Sequence, residues 1–408
     1  MVKRGMLLGL LLLVMTFLGG CSDSLELDDS AHVLSVAIDR GEEKAYRYTF
    51  QMPILLGEGL GNGEARFRSL TLEADNILDA FESANHADAR NMNFAHLNFL
   101  VVSEELARAG DMPGLIASCA YLAELREEAL VVVVRGSAQD FLKGFENEKE
   151  SNLERLQENL IQGAANSSII PSATIADLLE YFTDGRGDCV VALGSVNESV
   201  SSPATGEGEE ASEEAFSQSA MDDPVGEISR EGGLGSDLRG AALFSDGKMV
   251  EILGPGETKF LLMARGEFSH TRYVVPDPSG EGTVTLNLTK RAQPSIQVDL
   301  EEDGARCRIT VFLRGRVVDQ TNFVNMDDDA VFEAVTLAAE SELNRRMEEV
   351  RIKALAAGSD AFNLSRWASR RYLSFAAYEK DGVKDAIRNG QVEVRVEFQM
   401  VKQDPYRR

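Results

Sequence analysis

Alternating apolar and polar residues mark several β-strands along the chain. The clearest alternation lies near the end, where apolar residues from Val392 to Met400 are interleaved with polar and charged ones. The same period of two occurs in residues 46–52, which pair with the apolar segment 33–38, and again in the pair of segments 296–300 and 307–313. A turn sequence containing Asp and Gly lies between the members of each pair. These patterns predict antiparallel hairpins.

Helical periodicity occurs between the predicted strands. The longest helix is predicted to begin at Asp327–Asp329, because acidic side chains suit the positive end of a helix dipole, and to end at Gly358. The continuous apolar run Leu130–Val134 predicts a buried central strand. Shorter helices are predicted over residues 76–87, 104–108, 138–145, 151–161, 174–181 and 257–264. The fold class is α+β, with two to three mixed α/β domains and largely antiparallel sheets.

An acidic segment interrupts this pattern in the middle of the chain. Residues 197–238 hold eleven acidic residues against a single Arg, with Ser, Gly, Pro and Ala between them. Such a composition buries too little apolar surface to offset the entropy of ordering. We therefore predict a flexible, disordered acidic linker over 196–238. The linker separates a first domain, residues 21–195, from a second domain, residues 239–402. The first domain is long enough to consist of two smaller domains. Residues 403–408 form a tail.

The first 21 residues have the features of a bacterial lipoprotein signal. Lys3 and Arg4 precede an uncharged stretch, residues 5–18, that is shorter than the roughly 20 residues of a transmembrane helix. Leu18-Gly19-Gly20-Cys21 then forms a lipobox. We predict a signal peptide at 1–20 and lipid attachment at Cys21, so that acyl chains anchor the protein to a membrane. The alternative is an ordinary secretory signal with a chance Cys.

Composition excludes several classes of protein. The chain has 408 residues and is 44% hydrophobic, which is enough for packed cores. Its net charge of −26 argues against nucleic-acid binding and against broad adhesion to an anionic membrane. The remaining cysteines, Cys119, Cys189 and Cys307, are odd in number and lack a CxxC spacing. We predict buried thiols, and a disulfide stays open as the alternative.

The sequence contains no complete motif for catalysis, for a cofactor or for a metal. The Gly-rich stretch 57–63 is followed by no helix, residues 254–259 lack the Walker pattern, and Asp327–Asp329 lack the Gly and Glu of a calcium loop. The histidines at 32, 86, 96 and 270 are scattered, and Arg186-Gly187-Asp188 is better explained as a turn than as an adhesion motif. We predict no enzyme, no cofactor and no metal site.

Two charged clusters have a functional and a structural interpretation each. Paired carboxylates can serve acid–base chemistry in an anchored hydrolase, although solvated charge is the commoner use; the acids concerned are Glu26, Asp28, Asp29 and Asp39. A basic cluster, Arg345–Arg371, has the composition of a patch for an acidic partner or for lipid headgroups. We favour instead a helix end whose cations complement the dipole and pair with Glu348 and Glu349.

Several weak motifs occur in a characteristic order behind the lipobox. They are Cys21–Asp29, His96–Gly110, Gly240–Phe244, Asp360-Ala361-Phe362 and Trp367. In this order the mature chain resembles, over nearly all its length, the C-subunit family of bacterial spore germinant receptors, the Ger(x)C lipoproteins. Ser22 and Asn363 stand where that family usually has Trp and Gly.

The resemblance implies a non-catalytic receptor subunit rather than an enzyme. Such proteins lie on the outer face of the cytoplasmic (inner spore) membrane, held by their lipid. They act with an integral A subunit and a transporter-like B subunit in nutrient-triggered spore germination, and the family brings no catalytic or cofactor residues. The resemblance does not name the germinant. The alternative function is a solute-binding lipoprotein of a transport system, which requires a cleft between two similar lobes.

Overall fold

The computed structural model describes residues 30–54, 67–88, 90–122, 125–145, 153–197, 200–201, 223–278, 282–302, 304–321 and 325–402. These residues form one eight-stranded sheet, one four-stranded sheet and two short two-stranded sheets, with helices packed against the two large ones. The predictions for residues 1–20, Cys21, 57–63 and 403–408 lie outside the described residues.

The strands in chain order are β1 Ser30–His32, β2 Ser35–Arg40, β3 Tyr46–Pro53, β4 Phe67–Ala74, β5 Asn91–Asn93, β6 Phe99–Ser103, β7 Leu130–Arg135, β8 Val190–Val196, β9 Val200–Ser201, β10 Arg230–Glu231, β11 Ser236–Ser245, β12 Lys248–Leu253, β13 His270–Pro276, β14 Thr283–Glu301, β15 Gly304–Gln320 and β16 Gln391–Met400. The helices are α1 Ile77–Ala87, α2 Glu104–Ala109, α3 Met112–Cys119, α4 Ala138–Lys143, α5 Leu153–Asn166, α6 Ile175–Asp184, α7 Pro255–Arg265, α8 Asp329–Ala356, α9 Leu364–Ser369, α10 Phe375–Lys380 and α11 Val383–Arg388.

The large sheet has parallel strands at its centre and antiparallel strands at its edges. Its order is β12-β11-β8-β7-β6-β2-β3-β4, and β2, β6, β7 and β8 run parallel to one another. Strand β6 is buried over its whole length because helices cover both faces. Helices α1, α3 and α6 bury their apolar sides on one face, and α4 and α5 cover the other.

This sheet continues across the predicted linker. Strand β11 pairs antiparallel with β8, and Ala241 lies opposite Ala192. The described residues at the two ends of the linker include β9, β10 and the start of β11, and Arg230 Nη1 lies 2.7 Å from Asp237 Oδ1. Residues 202–222, which carry several of the acids, lie outside the described part. Flexibility there stays a prediction.

The four-stranded sheet packs one face on the longest helix. Its order is β13-β14-β15-β16, with β15 and β16 parallel. The apolar stripe of α8, from Val335 to Ala354, is buried on this face. Asn344 of α8 accepts the N–H of Val396 at 2.9 Å and donates to its carbonyl at 3.2 Å, which satisfies backbone groups of the edge strand β16. The side chains on the opposite face are largely exposed.

The predicted fold class, mixed units with largely antiparallel sheets, is confirmed. The alternation at 392–400, the two hairpins and the long helix occur where the pattern predicts them, and Asp328 caps α8 by accepting the N–H of Ala330 at 2.9 Å. The elements that the sequence pattern does not predict are the short strands β1, β5, β9 and β10, strand β13, the first half of β14, and helices α9, α10 and α11. These three helices have six residues each, which is too short for a periodic signal, and tertiary packing and capping stabilise them.

Candidate functional site

The structure describes some of the site residues predicted from the sequence and not others. Cys21, Glu26, Asp28 and Asp29 lie outside the described residues, so lipid attachment stays a prediction. Asp39 is described, and it lies at the end of β2 facing the start of α4.

Asp39 holds the N-terminus of a neighbouring helix. Its carboxylate accepts the backbone N–H of Ala138 at 2.7 Å and that of Gln139 at 2.9 Å. These are orphan donors of the first turn of α4, where a negative charge is favourable. Burial raises the pKa of Asp39, and the two N–H groups oppose that rise. The arrangement joins β2 to α4, and both oxygens of the Asp39 carboxylate are used in hydrogen bonds that hold the helix.

The basic cluster on α8 is paired with acids of its own helix. The side chains of Arg345, Arg346 and Arg351 each bind a glutamate three or four residues away; these glutamates are Glu342, Glu348 and Glu349. Lys353 Nζ lies 2.8 Å from Glu257 Oε2 of α7. Such pairs stabilise an exposed helix by a few tenths of a kcal/mol each.

The three remaining arginines of the basic cluster, Arg366, Arg370 and Arg371, also contact neighbouring groups of the protein. Arg371 donates to the carbonyl of Val298 at 2.6 Å, and the guanidinium of Arg370 lies 4.3 Å from the Trp367 ring centroid. Arg366 pairs with Glu180. The structure therefore agrees with the helix-end interpretation of residues 345–371.

A cluster that the sequence analysis did not identify joins the two halves of the chain. Its centre is Asp188, just before β8, whose side chain is 1% exposed. Asp188 accepts the backbone N–H of Asp246 at 3.1 Å and that of Asp360 at 2.9 Å. Lys384 and Arg388 of α11 lie 3.3 and 3.5 Å from its carboxylate oxygens. We call these five residues the junction cluster.

The outer side of the junction cluster is open to solvent. Asp246, in the β11–β12 turn, accepts from Arg388 at 2.7 Å and from Lys384 at 2.8 Å. The hydrogen bond from Arg388, followed by that from Lys384, lowers the pKa of Asp246 to about 2 despite partial burial. The two cations are thus shared between a buried and an exposed carboxylate.

Asp360 is the second buried carboxylate of the junction cluster. It accepts the N–H groups of Leu364 and Ser365, both at 2.8 Å, and so satisfies orphan donors of α9. Burial raises the pKa of Asp360 to about 6. The motif Asp360-Ala361-Phe362 therefore has a structural basis: it starts a short helix against the core and binds Asp188.

A second polar contact lies beside the junction cluster. The Arg265 side chain, 6% exposed, donates to the carbonyl of Ala361 at 2.7 Å and to the hydroxyl of Tyr181 at 3.1 Å. Asn363 donates to the same hydroxyl at 3.0 Å. A cavity of about 340 Å³ adjoins these groups and is lined in part by Tyr181, Arg265 and Arg366. Three polar groups of this cavity wall, those of Tyr181, Arg265 and Arg366, make contacts between the two halves.

The adhesion-like tripeptide and the cysteines, which were the other candidates for a functional site, have structural roles. Arg186-Gly187-Asp188 is a bend whose aspartate is buried, so the turn interpretation is confirmed. The buried-thiol prediction is also confirmed, and burial raises the pKa of Cys119 and Cys307 to about 12, which disfavours nucleophilic thiolates. Within the described ranges, no three His, Cys, Asp or Glu side chains are grouped as metal ligands. No helix of that part of the chain is long and apolar enough to cross a membrane.

Two family models match the chain in tandem. The model described as the spore germination protein N-terminal domain matches residues 23–196, and the model described as spore germination B3/GerAC like, C-terminal, matches residues 239–403. The chain belongs to the Ger(x)C family of spore germination proteins. Both halves of the junction cluster therefore fall inside the family's own domains.

Individual relatives agree with this membership. The chain is 23% identical to the putative spore germination protein YfkR of Bacillus subtilis over 334 residues, which is 79% of this chain and 77% of the relative. It is 31% identical to spore germination protein KC of the same species over 150 residues, 35% of this chain and 37% of that protein. The crystal structure of the GerBC protein shares the fold, with a TM-score of 0.53, 14% identity, and coverage of 90% of this chain and 96% of the other.

Proposed function

We propose that this Ger(x)C protein is the lipid-anchored, non-catalytic subunit of a nutrient germinant receptor. In this proposal Cys21 holds it on the outer face of the cytoplasmic (inner spore) membrane, beside an integral A subunit and a transporter-like B subunit. The observation that carries the proposal is the tandem family match, 23–196 and 239–403, directly behind the lipobox. Anchoring confines the subunit to two dimensions and raises its effective concentration beside membrane partners.

The described contacts agree with a binding role rather than a catalytic one. Asp39, Asp188 and Asp360 are carboxylates of the kind that an active site would use, yet each is engaged by backbone N–H groups. The alternative, a solute-binding lipoprotein, requires two similar lobes. The two large sheets of the described residues differ in strand number and order, so nothing favours that alternative.

The test is the substitution Cys21→Ala, with Cys119→Ala as a control that keeps the anchor. We expect Cys21→Ala to leave the membrane fraction and to slow nutrient-triggered germination, whereas the control stays membrane-bound and germinates normally. Membrane retention of Cys21→Ala contradicts the anchor. Loss from the membrane without any change in germination contradicts the receptor role.

A further inference from the structure

The open face of the four-stranded sheet carries a group of arginines on neighbouring strands. One row across the sheet places Arg272 of β13 opposite Asn287 of β14, which lies opposite Arg316 of β15. The adjacent row is His270, Thr289, Arg314 and Gln399. We call these two rows the arginine patch. Its three arginines, its histidine and Gln399 are exposed, while Asn287 and Thr289 are half-buried.

The charges of the patch differ from most of those on the remainder of the same face, although Arg395 of β16 is also exposed there and has no ion pair among the described residues. Three arginines outside the patch each lie beside a carboxylate: these pairs are Arg291 with Glu397 at 3.3 Å, Arg306 with Glu301 at 3.2 Å and Arg308 with Glu393 at 3.4 Å. Among the described residues, Arg272, Arg314 and Arg316 have no ion-pair partner. Beyond Arg316 the next row holds Asp319, whose carboxylate accepts the N–H of Gln320 at 2.9 Å.

This imbalance is unusual in so acidic a chain. Acidic residues outnumber Lys and Arg by 67 to 41 in the chain, so an excess of unpaired arginines on one surface runs against the composition. Within the two rows of the patch, the other side chains are a histidine and neutral hydrogen-bonding groups, and the nearest carboxylate in the register is Asp319 in the next row. Adjacent strands lie about 4.8 Å apart and successive outward residues about 6.6 Å apart, so the arginines spread in two dimensions. Guanidinium forks match phosphate oxygens bidentately.

Two exposed valines flank the patch. Val274, two residues beyond Arg272, is 37% exposed, and Val318, two residues beyond Arg316, is 44% exposed. Apolar side chains beside cations are typical of surfaces that lie at the headgroup boundary of a bilayer. We propose that the arginine patch docks on the phosphate groups of an anionic lipid bilayer. An acidic protein segment is the competing occupant, and a linear segment would pair along a single row rather than across both.

The patch would supply a contact that a lipid at Cys21 cannot supply. A flexible N-terminal anchor limits the distance from the membrane, whereas a basic face would fix the orientation of the second domain. The net charge of −26 opposes binding through the protein as a whole, so any electrostatic attraction has to be local. The inference goes beyond the proposed function and needs neither Cys21 nor the receptor role.

The test uses residues 22–408, which contain every described residue and no lipid-bearing Cys. Co-sedimentation is measured with phosphatidylcholine vesicles and with vesicles containing about one third phosphatidylglycerol. The test variant is the triple Arg272→Gln, Arg314→Gln and Arg316→Gln. The matched control is the triple Arg291→Gln, Arg306→Gln and Arg308→Gln, which makes the same charge change on the same face at paired arginines. Circular dichroism checks that both variants fold.

We expect binding to the anionic vesicles alone, weakened by salt. Each arginine near an anionic surface contributes about five-fold in partition coefficient, so the patch variant should bind about 100-fold more weakly. The control should bind within a few-fold of the unmutated chain. Equal losses in both triples, or equal binding to neutral vesicles, overturn the proposal. Binding to poly-glutamate through the patch, without binding to vesicles, also overturns it in favour of an acidic protein partner.

Discussion

Replacing Asp188 by Ala tests whether the junction cluster holds the two halves together. The substitution removes a carboxylate that is 1% exposed and leaves the backbone N–H of Asp360 without its acceptor. It also removes the buried carboxylate beside Lys384 and Arg388, for which the exposed Asp246 then remains as the ion-pair partner among the described residues. The perturbation therefore combines an unsatisfied buried donor with two cations that share a single exposed carboxylate.

The magnitude follows from these losses. Breaking a buried ion pair by removing one partner costs about 3–5 kcal/mol, and a buried donor without an acceptor costs about 1–3 kcal/mol. Two effects reduce the sum: Asp246 still neutralises the cations, and the charge of Asp188 is one cause of the raised pKa of Asp360. We expect Asp188→Ala to lower the free energy of unfolding by about 3 kcal/mol.

Urea unfolding followed by circular dichroism measures this change. With a slope of about 3 kcal/mol per molar urea, the midpoint should fall by about 1 M. The matched control is Asp246→Ala, which removes a carboxylate from the same two cations at a side chain that is 61% exposed. Exposed pairs contribute little, so the control should lose less than about 1 kcal/mol. Equal losses in the two variants would refute the argument, since it rests on the burial of Asp188.

Two further predictions concern carboxylates with structural roles. Asp39→Ala leaves two N–H groups of α4 without an acceptor and should cost about 1–2 kcal/mol in urea unfolding, whereas unchanged stability would show that Asp39 does not hold the helix. Burial raises the pKa of Asp360 from 3.8 to about 6, so the folded state binds the proton more tightly. The contribution of Asp360 to the free energy of unfolding should therefore fall by about 3 kcal/mol as pH rises from about 4 to about 6. Asp360→Asn should flatten that slope, and an unchanged slope in this variant would contradict the assignment.

Local sequence signals predicted most of the fold because packing reinforces them. The alternation at 392–400 survives in β16, where one face packs on α8. The acids at 327–329 predicted the start of α8, and Asp328 is its N-cap. Strand β13 was missed although it alternates, because its inward positions include a polar residue, Thr271, buried through tertiary packing. Such burial has no local signal.

The junction cluster could not be predicted in the same way. Asp188 and Asp360 are 172 residues apart in sequence, and their contact depends on the approach of two loops. The basic residues at 345–371 form a visible cluster because they are close in sequence, yet most of them form ion pairs with glutamates. In contrast, Arg272 and Arg316 lie 44 positions apart and reach one surface only through the order of the strands. Charge clusters that form through sheet register are invisible to a linear scan.

The boundary between the two family domains falls inside a single strand. The C-terminal match begins at residue 239, whereas β11 runs from Ser236 to Ser245 and completes the sheet of the N-terminal half. Alternate residues of β11 face different cores: Ala242 and Phe244 pack among N-terminal residues, and Leu243 packs with α7 and the four-stranded sheet. Because successive side chains of a strand point to opposite faces, one strand can serve both cores. A split of the chain at residue 239 would therefore expose the β8 edge and both cores, and experiments that separate the halves would report on two damaged sheets rather than on two independent domains.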